Sequence, residues 1–334
     1  MSTDQQKLIF ALNNDGEIVS IDDVESGLSC NCICPACGEP LVAKKGKDMM
    51  HHFAHYSGHS CEYGYESALH LAAKDILSKV DKIVVPDLYL DIPKSDKPRQ
   101  LIFKSKVIKI DKVEMEKQEG SIVPDIVVYS GKNKLFIEIF VSHKVNDEKL
   151  VKIKEENIST IEIDLSKREN DIDYKELSEI LLIKTEEKKW VYSVLSEKVL
   201  KRFNDASKSL KLRGDNDEYY INACPLKDNR LFNKGGLVPL FNCRNCDYCL
   251  SFDIPKEQLL CLGEERISEI EDFKLSKEER IKKSEEVRRN RIKESVRFGH
   301  CPDCGGYLTK KRGKYGLFWA CSNFPDCGFT KKSY

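Results

Sequence analysis

The sequence predicts a mixed α/β core that is flanked by small cysteine-rich modules and followed by a helical connector. Residues 83–166 contain five short apolar segments, and a polar, helix-compatible stretch, Val145–Glu156, precedes the last of them. This strand, helix, strand order is typical of a mixed sheet. The 14 cysteines form three separate clusters that contain C-x-x-C pairs. In a cytosolic protein such pairs indicate metal ligation.

Length and charge narrow the class of protein. A chain of 334 residues exceeds the ~250–300 residues that a single core supports, so we expect two or more domains. The 55 basic and 55 acidic side chains give a net charge of zero, which excludes a globally basic, histone-like binder but not a local basic patch. No apolar run reaches the ~18 residues of a membrane helix, and Met1–Asp15 lacks a signal-peptide pattern. We therefore expect a cytoplasmic location and no membrane partner.

The N-terminal half divides into a module and a core. In Lys7–Ser20, two apolar stretches flank Asn13–Gly16, which predicts a hairpin. The cysteine- and histidine-rich segment that follows completes a module over residues 1–62. Glu66–Val80 has apolar residues at helical spacing and opens the predicted core, residues 63–168.

In the C-terminal half, a helical pattern precedes the middle cysteine cluster and a charged segment follows it. Residues 169–263 combine a helical pattern over Asp173–Leu210, in which Trp190 is an expected core contact, with the middle cysteine cluster. Residues 264–299 are highly charged. Ser276-Lys-Glu-Glu279 has the form of a capping box, which favours a connector helix of about 20 residues, roughly 30 Å long; a flexible charged linker is the alternative. Residues 300–334 form the last module.

The C-terminal cluster has the strongest metal signal. Zinc prefers four soft ligands in a tetrahedron, and four thiols are spaced to supply them: Cys301, Cys304, Cys321 and Cys327. A segment this short cannot bury enough apolar surface to stabilise its own fold. Zinc binding would therefore contribute much of its folding free energy.

The same segment interleaves cations with aromatic rings. Six basic residues between Cys301 and Tyr334 outnumber two acids. Rings beside cations suit stacking on single-stranded nucleic acid, although packing of the rings in a small core is the alternative. The candidate nucleic-acid-binding residues are Lys310, Lys311, Arg312, Lys314, Tyr315 and Trp319.

Two further zinc sites are predicted upstream. At the N-terminus, Cys34, Cys37, His52 and His55 make a Cys2His2 set. The competing ligands there are Cys30, Cys32, His51, His59 and Cys61, and free cysteines with surface histidines are the alternative. In the middle cluster, zinc would take four of five thiols, although an iron–sulfur cluster or no metal are alternatives. These thiols are Cys224, Cys243, Cys246, Cys249 and Cys261.

Two acids in apolar strands are the candidate catalytic centre. Asp125 stands at the start of one apolar strand, and Glu138 lies inside the next, between Ile137 and Ile139. A buried acid is costly unless it is paired or binds a cation. Because a short turn joins the two strands, the acids would converge and could hold Mg²⁺ or Mn²⁺. Loop capping or pairing with lysines is the alternative.

Several motifs resemble known families. The C-terminal strings Tyr-Gly-x-Phe and Cys-Ser-Asn-Phe-Pro-x-Cys resemble the zinc ribbons of type IA DNA topoisomerases, which implies single-stranded DNA binding. Cys34-Pro-Ala-Cys37, His52-Phe-Ala-His55 and Glu66-Ser67-x2-His70-x3-Lys74 resemble the competence protein CoiA-like family. Pro124-Asp125 with Glu138 is similar to the PD-(D/E)xK nuclease pattern. The resemblance implies a restriction-endonuclease-like fold and a metal-dependent DNA nuclease, with Glu66 as a third acid.

The nuclease pattern is incomplete at one position. Phe140 stands two residues after Glu138, where the pattern has lysine. Phenylalanine cannot stabilise a leaving oxyanion. Either a cationic side chain elsewhere in the chain takes this role, or catalysis is lost. The candidates are Lys112, Lys144, Lys149 and His143. We expect metal-assisted phosphodiester hydrolysis; the alternative is a non-catalytic nucleic-acid-binding or assembly module with a degenerate nuclease core.

Overall fold

The computed structural model describes residues 7–47, 50–59, 61, 63–166, 172–215, 218–222, 224–226, 237–302, 306–324 and 327–332. The helices are α1 (Gly64–Ser78), α2 (Asp147–Glu156), α3 (Tyr174–Leu182), α4 (Val194–Ala206), α5 (Leu240–Arg244) and α6 (Lys277–Arg297). The strands of the first half are β1 (Phe10–Leu12), β2 (Ile18–Ser20), β3 (Gly27–Ile33), β4 (Pro40–Lys44), β5 (His52–His55), β6 (Lys82–Val85), β7 (Leu88–Leu90), β8 (Gln100–Phe103), β9 (Lys106–Lys109), β10 (Lys112–Met115), β11 (Ile126–Ser130), β12 (Asn133–Phe140), β13 (Ser159–Asp164) and β14 (Lys188–Tyr192). The strands of the second half are β15 (Lys208–Asp215), β16 (Glu218–Asn222), β17 (Leu237–Pro239), β18 (Cys249–Asp253), β19 (Gln258–Cys261), β20 (Leu308–Gly313), β21 (Gly316–Cys321) and β22 (Thr330–Lys332). The prediction of a mixed α/β protein is confirmed, and the strands form several sheets.

The chain folds into two compact units. Unit 1 comprises residues 1–88 and 103–195, and unit 2 comprises residues 89–102 and 196–334. Within unit 1, the N-terminal module and the central sheet share one hydrophobic core. Phe10 of β1 and Leu69 of α1 both belong to that core. The helix α1 therefore joins the module to the sheet. The domain boundary at residue 62 stays a prediction.

A five-stranded sheet forms the centre of unit 1. Its strand order is β10-β11-β12-β13-β14, and only β12 and β13 run parallel. Strands β11 and β12 form the predicted hairpin, with Gly131 at φ +58° in the turn, a conformation that glycine adopts without strain. The helix α2 connects the parallel pair, and its C-cap Asn157 adopts the left-handed conformation common at helix C-termini.

Helices cover both faces of this sheet. Successive strand residues point to opposite faces. Ile137 of β12 therefore faces the core that contains α1 and α3, whereas Phe136 packs with Ile153 of α2. Glu138 lies on the same face as Phe136, toward α2.

The predicted helical stretch over Asp173–Leu210 is wrong in its middle and at its end. The strand β14 separates α3 from α4, and β15 begins at Lys208. The segment Lys-Lys-Trp-Val-Tyr is rich in residues that favour strands, and it pairs antiparallel with β13 at the edge of the sheet. Trp190 is half-buried there, and its indole N–H donates to the Pro86 carbonyl at 3.1 Å.

Unit 2 contains a second five-stranded sheet, the connector helix and a three-stranded ribbon. The sheet has the order β17-β16-β15-β19-β18, and the ribbon has the order β20-β21-β22. The predicted capping box of α6 is confirmed: the Ser276 hydroxyl accepts from Glu279 N–H, and the Glu279 carboxylate accepts from Ser276 N–H. Among the described helices of both units, none combines the length and apolar character of a membrane span.

Candidate active site and metal-binding groups

Asp125 lies directly before β11 and opposite Glu138, because Ile126 pairs with Ile137 across the hairpin. One carboxylate oxygen accepts from the Ile139 N–H at 2.9 Å and lies 3.1 Å from His70 Nε2; the other lies 3.4 Å from Lys74 Nζ. Burial alone would raise the pKa of Asp125. The hydrogen bond from His70, the backbone donor and the Lys74 charge outweigh it and lower the pKa to about 2.

Glu138 has the opposite electrostatic environment. It is 4 % exposed, and Lys149 Nζ from α2 lies 2.5 Å from its Oε2. Burial raises its pKa to about 7 despite the Lys149 charge, and repulsion from Asp125 and Glu162 adds to the effect. Its Oε1 is buried without a hydrogen-bond partner among the groups that the structure describes. A buried, unsatisfied carboxylate oxygen beside a second acid fits a cation ligand.

Sequence reasoning missed Glu162 as a site residue. It stands on β13 in parallel register with Glu138 and is 1 % exposed. Its carboxylate accepts from the Val145 N–H at 2.7 Å and lies 2.6 Å from Lys189 Nζ. The sequence pattern that indicated Glu138 is also present at Glu162, because both are acids between two isoleucines.

The first turn of α1 brings the predicted third acid to the same region. Glu66 hydrogen-bonds the Ser142 hydroxyl, and its carboxylate lies 3.5 Å from His143 Nδ1. Glu66, His70 and Lys74 are four residues apart along α1, so they share one helix face as predicted. Within the described residues, Glu66, Asp125 and Glu138 do not form a group whose ligand atoms all lie within 4.8 Å of one another.

One open cleft of about 550 Å³ in unit 1 is lined by His70 and by the four acids Glu66, Asp125, Glu138 and Glu162. The cleft includes Phe140, at the position where the nuclease pattern has lysine, and Lys149, which contacts Glu138 from α2. Of the other cation candidates, His143 and Lys144 also line the cleft, whereas Lys112 pairs with Glu114 and is not part of the lining. The cleft therefore combines acids suited to a divalent cation with a lysine against one of them.

A compact thiol and imidazole group lies at the start of α1. The ligand atoms of Cys34, Cys37, His55 and Cys61 all lie within 4.8 Å of one another. Tetrahedral zinc with the usual bond lengths holds sulfur and nitrogen about 3.5 Å apart, and Cys37 Sγ lies 3.4 Å from His55 Nε2. The donor set and spacing fit zinc.

His52 is not part of this group, and Cys61 takes its place. Both histidines lie on β5, and residues three apart on a strand point to opposite faces. His52 instead places its Nδ1 2.9 Å from the Met50 carbonyl. The prediction of a Cys2His2 set assumed that both rings of the His-x-x-His motif lie on the same side of the strand.

The C-terminal thiols also converge. Cys301, Cys321 and Cys327 are buried with sulfur atoms within 4.8 Å of one another, and Cys304, the predicted fourth ligand, lies outside the described residues. Tetrahedral zinc–thiolate geometry places sulfurs about 3.8 Å apart, and the sulfurs of Cys301 and Cys327 are 3.7 Å apart. The three thiols fit a zinc ribbon.

The ribbon presents its predicted cations and rings on strands β20 and β21 and on the turn between them. Lys310 pairs with Trp319 across the strands, and its ammonium lies 5.6 Å from the ring centre. Lys311 and Arg312 are exposed on β20, and Lys314 lies 5.8 Å from the ring of Tyr315, which is 92 % exposed at the turn. Trp319 is half-buried and also packs against the cysteines.

The middle thiols share one core in unit 2. Cys243, Cys249 and Cys261 are buried there, and Cys224 and Cys246 pack against it. Burial raises the pKa of Cys249 to about 12, with added repulsion from Cys246 and Cys261. Among the described residues these five thiols do not include a group as tight as the two above. A metal in this cluster stays a prediction.

The two ends of the chain each match a known family. Residues 22–64 match the family described as Competence protein CoiA, N-terminal domain, and residues 299–334 match the Topoisomerase DNA binding C4 zinc finger. A stretch of 50 residues is 42 % identical to DNA topoisomerase 1 of Mycoplasmoides gallisepticum. This stretch is 14 % of the chain and 7 % of that topoisomerase, so the chain spans only a small part of the relative. No solved structure matches.

Proposed function

We propose that the protein is a divalent-metal-dependent nuclease that hydrolyses DNA phosphodiesters in the cleft of unit 1, with the C-terminal ribbon engaging single-stranded DNA. One observation carries the proposal. Asp125 and Glu138 stand side by side in this cleft, and Lys149 contacts Glu138 from α2. We further propose that the central sheet with helices on both faces is a restriction-endonuclease-like fold.

The cleft residues divide into three roles. Asp125 and Glu138 would hold Mg²⁺ or Mn²⁺, which activates water and neutralises phosphate charge in such sites. His70, Lys74 and the Ile139 N–H fix the Asp125 carboxylate in its ionised form. Lys149 takes the role of the lysine that Phe140 replaces, because its ammonium can face the scissile phosphate and stabilise the leaving oxygen.

Glu66 and Glu162 are assigned supporting roles. Glu66 lines the cleft and contacts Ser142 and His143, so it can hold a cation-bound water or act as a further ligand. Glu162 holds the backbone of Val145, two residues before α2 begins. Glu162 therefore fixes the approach of α2, the helix that carries Lys149.

The ribbon proposal rests on the family match and on surface chemistry. The matching family is described as DNA binding, and the ribbon here combines Lys310, Lys311 and Arg312 with the exposed ring of Tyr315. Cations beside rings bind single strands by charge neutralisation and stacking. The zinc-type thiol group would fix the strands that carry them.

Cleavage of labelled single- and double-stranded DNA with Mg²⁺ or Mn²⁺ tests the proposal. Asp125→Asn should lower the rate by several orders of magnitude while zinc content persists. Asp111→Asn is the matched control, because Asp111 is an exposed acid outside the cleft lining. Cleavage by Asp125→Asn at the wild-type rate would place the activity elsewhere. Absence of cleavage with every metal and nucleic acid would favour a binding module with a degenerate core.

A further inference from the structure

The charges of α6 are distributed unequally along the helix. Residues 277–286 contain four basic and four acidic side chains. Residues 288–297 contain five basic side chains and a single acidic one, Glu294. A connector that merely stayed solvated would need no such separation of charge.

The two halves also differ in what their cations contact. Lys277 and Arg280 pair with Glu265, and Lys283 pairs with Asp272. These contacts tie the first half of α6 to the preceding segment of unit 2. In the second half, Arg289, Lys293 and Arg297 are exposed and form no ion pair within the part of the chain that the structure describes.

These three residues form a basic stripe (Arg289, Lys293 and Arg297) on one side of α6, because they are spaced by four residues. Successive cations of the stripe rise about 6 Å along the helix. Like charges at this spacing repel each other, so an anionic partner along the stripe would be favourable.

The stripe leads into the ribbon. Val296, on the last turn of α6, packs against the ribbon cluster of Cys301, Leu308, Cys321 and Cys327. At the junction, Phe298 is 71 % exposed and Tyr307 is 70 % exposed, so two rings stand between the stripe and the ribbon strands. Cations followed by exposed rings continue the chemistry of the ribbon surface toward the helix.

We infer that the basic stripe of α6 is a phosphate-binding track for single-stranded DNA that extends the ribbon surface. The inference rests on the proposed nucleic-acid binding by the ribbon. The strand would run from the ribbon past Phe298 and Tyr307 onto the stripe, with its phosphates on Arg297, Lys293 and Arg289. The connector is then part of the binding surface and not only a spacer.

The salt dependence of binding to a fluorescent 20-nucleotide single strand tests this inference. The full-length variant Arg289→Gln/Lys293→Gln/Arg297→Gln keeps helix-forming side chains. Each lost phosphate contact lowers the slope of log affinity against log salt by about 0.7. We expect the slope to fall by about 2 and the affinity in 0.1 M salt to fall on the order of 10- to 100-fold.

Two comparison variants make the result specific. Lys198→Gln/Lys201→Gln/Lys282→Gln removes the same charge from exposed positions outside the stripe and should leave most of the slope. Lys310→Gln/Lys311→Gln/Arg312→Gln tests the ribbon itself. A stripe variant that binds like wild type, while the ribbon variant weakens, would overturn the inference and leave the proposed function intact. Weakening confined to duplex DNA would also overturn it. No binding by wild type would instead reject the ribbon proposal.

Discussion

Two neighbouring carboxylates in one cleft have pKa values that are shifted in opposite directions. Asp125 is held ionised by His70, Lys74 and a backbone donor, whereas buried Glu138 has a pKa near 7. The two acids therefore give the cleft one permanent negative charge and one that appears near neutral pH. A divalent cation would favour the ionised form of both.

The raised pKa of Glu138 predicts a pH-dependent cost in the metal-free protein. Folding raises this pKa from 4.5 to about 7, so the folded state binds the proton more tightly, and its stability falls as pH rises through that range. Glu138→Gln removes this loss. Its melting temperature should match that of wild type near pH 4.5 and exceed it by several degrees near pH 8. Thermal denaturation in a chelator too weak to remove zinc measures the difference. A constant difference at all pH values would contradict the assigned pKa.

Lys149 is the expected substitute for the missing lysine. Lys149→Met should lower the cleavage rate by about 100-fold or more, the scale of losing one electrostatic donor, while DNA affinity stays near wild type. Lys152→Met on the same helix is the matched control, because Lys152 pairs with Glu148 and does not line the cleft. Equal cleavage rates for both variants would show that Lys149 does not take the role of the lysine that is missing at position 140.

At the scale of elements, α1 connects the first thiol group to the cleft. The helix begins at Gly64, whose N–H donates to the Cys61 carbonyl at 3.3 Å, and the same helix carries Glu66, His70 and Lys74. A Cβ added at Gly64 would lie 3.5 Å from Cys34 Sγ. Metal at this group would fix the first turn of α1, and through it the side chains that hold Asp125.

This connection predicts that zinc loss at the N-terminal group impairs cleavage. Cys61→Ser should lower the zinc content by about one ion per chain and also lower the cleavage rate. His52→Ala should change neither, because its ring is outside the group. Elemental analysis and the cleavage assay on the same samples make the measurement. If His52→Ala lost zinc and Cys61→Ser retained it, the ligand set inferred from the strand geometry would be incorrect.

Strong local signals predicted several elements, but not the contacts made over long sequence distances. The turn between β11 and β12, the helical spacing of α1 and the capping box at Ser276 are local, and each is present. Cys61 could not be selected from nine candidate ligands without the alternation of β5, and β14 was hidden by the helical pattern around Trp190. The contact between Lys149 and Glu138 depends on how α2 packs, which spacing alone does not fix.

At the scale of the whole molecule, each unit combines a cysteine-rich group with a proposed nucleic-acid function. Unit 1 carries the cleft and the N-terminal thiol group, and unit 2 carries the middle thiols, the basic stripe and the ribbon. We expect two zinc ions per purified chain, or three if the middle cluster binds zinc. Elemental analysis with visible absorption decides this number: fewer than one zinc per chain would exclude the sites, and a brown colour would indicate iron–sulfur in the middle cluster.

The central claim is that the cleft of unit 1 holds a divalent cation between Asp125 and Glu138. Because the natural substrate is not needed, Mn²⁺ binding to the zinc-loaded full-length protein tests this claim most directly. Electron paramagnetic resonance should detect one bound Mn²⁺ in wild type and in Asp111→Asn. In Asp125→Asn and Glu138→Gln, Mn²⁺ should bind at least tenfold more weakly. Equal Mn²⁺ affinity in all four proteins, or none in wild type, would contradict the claim.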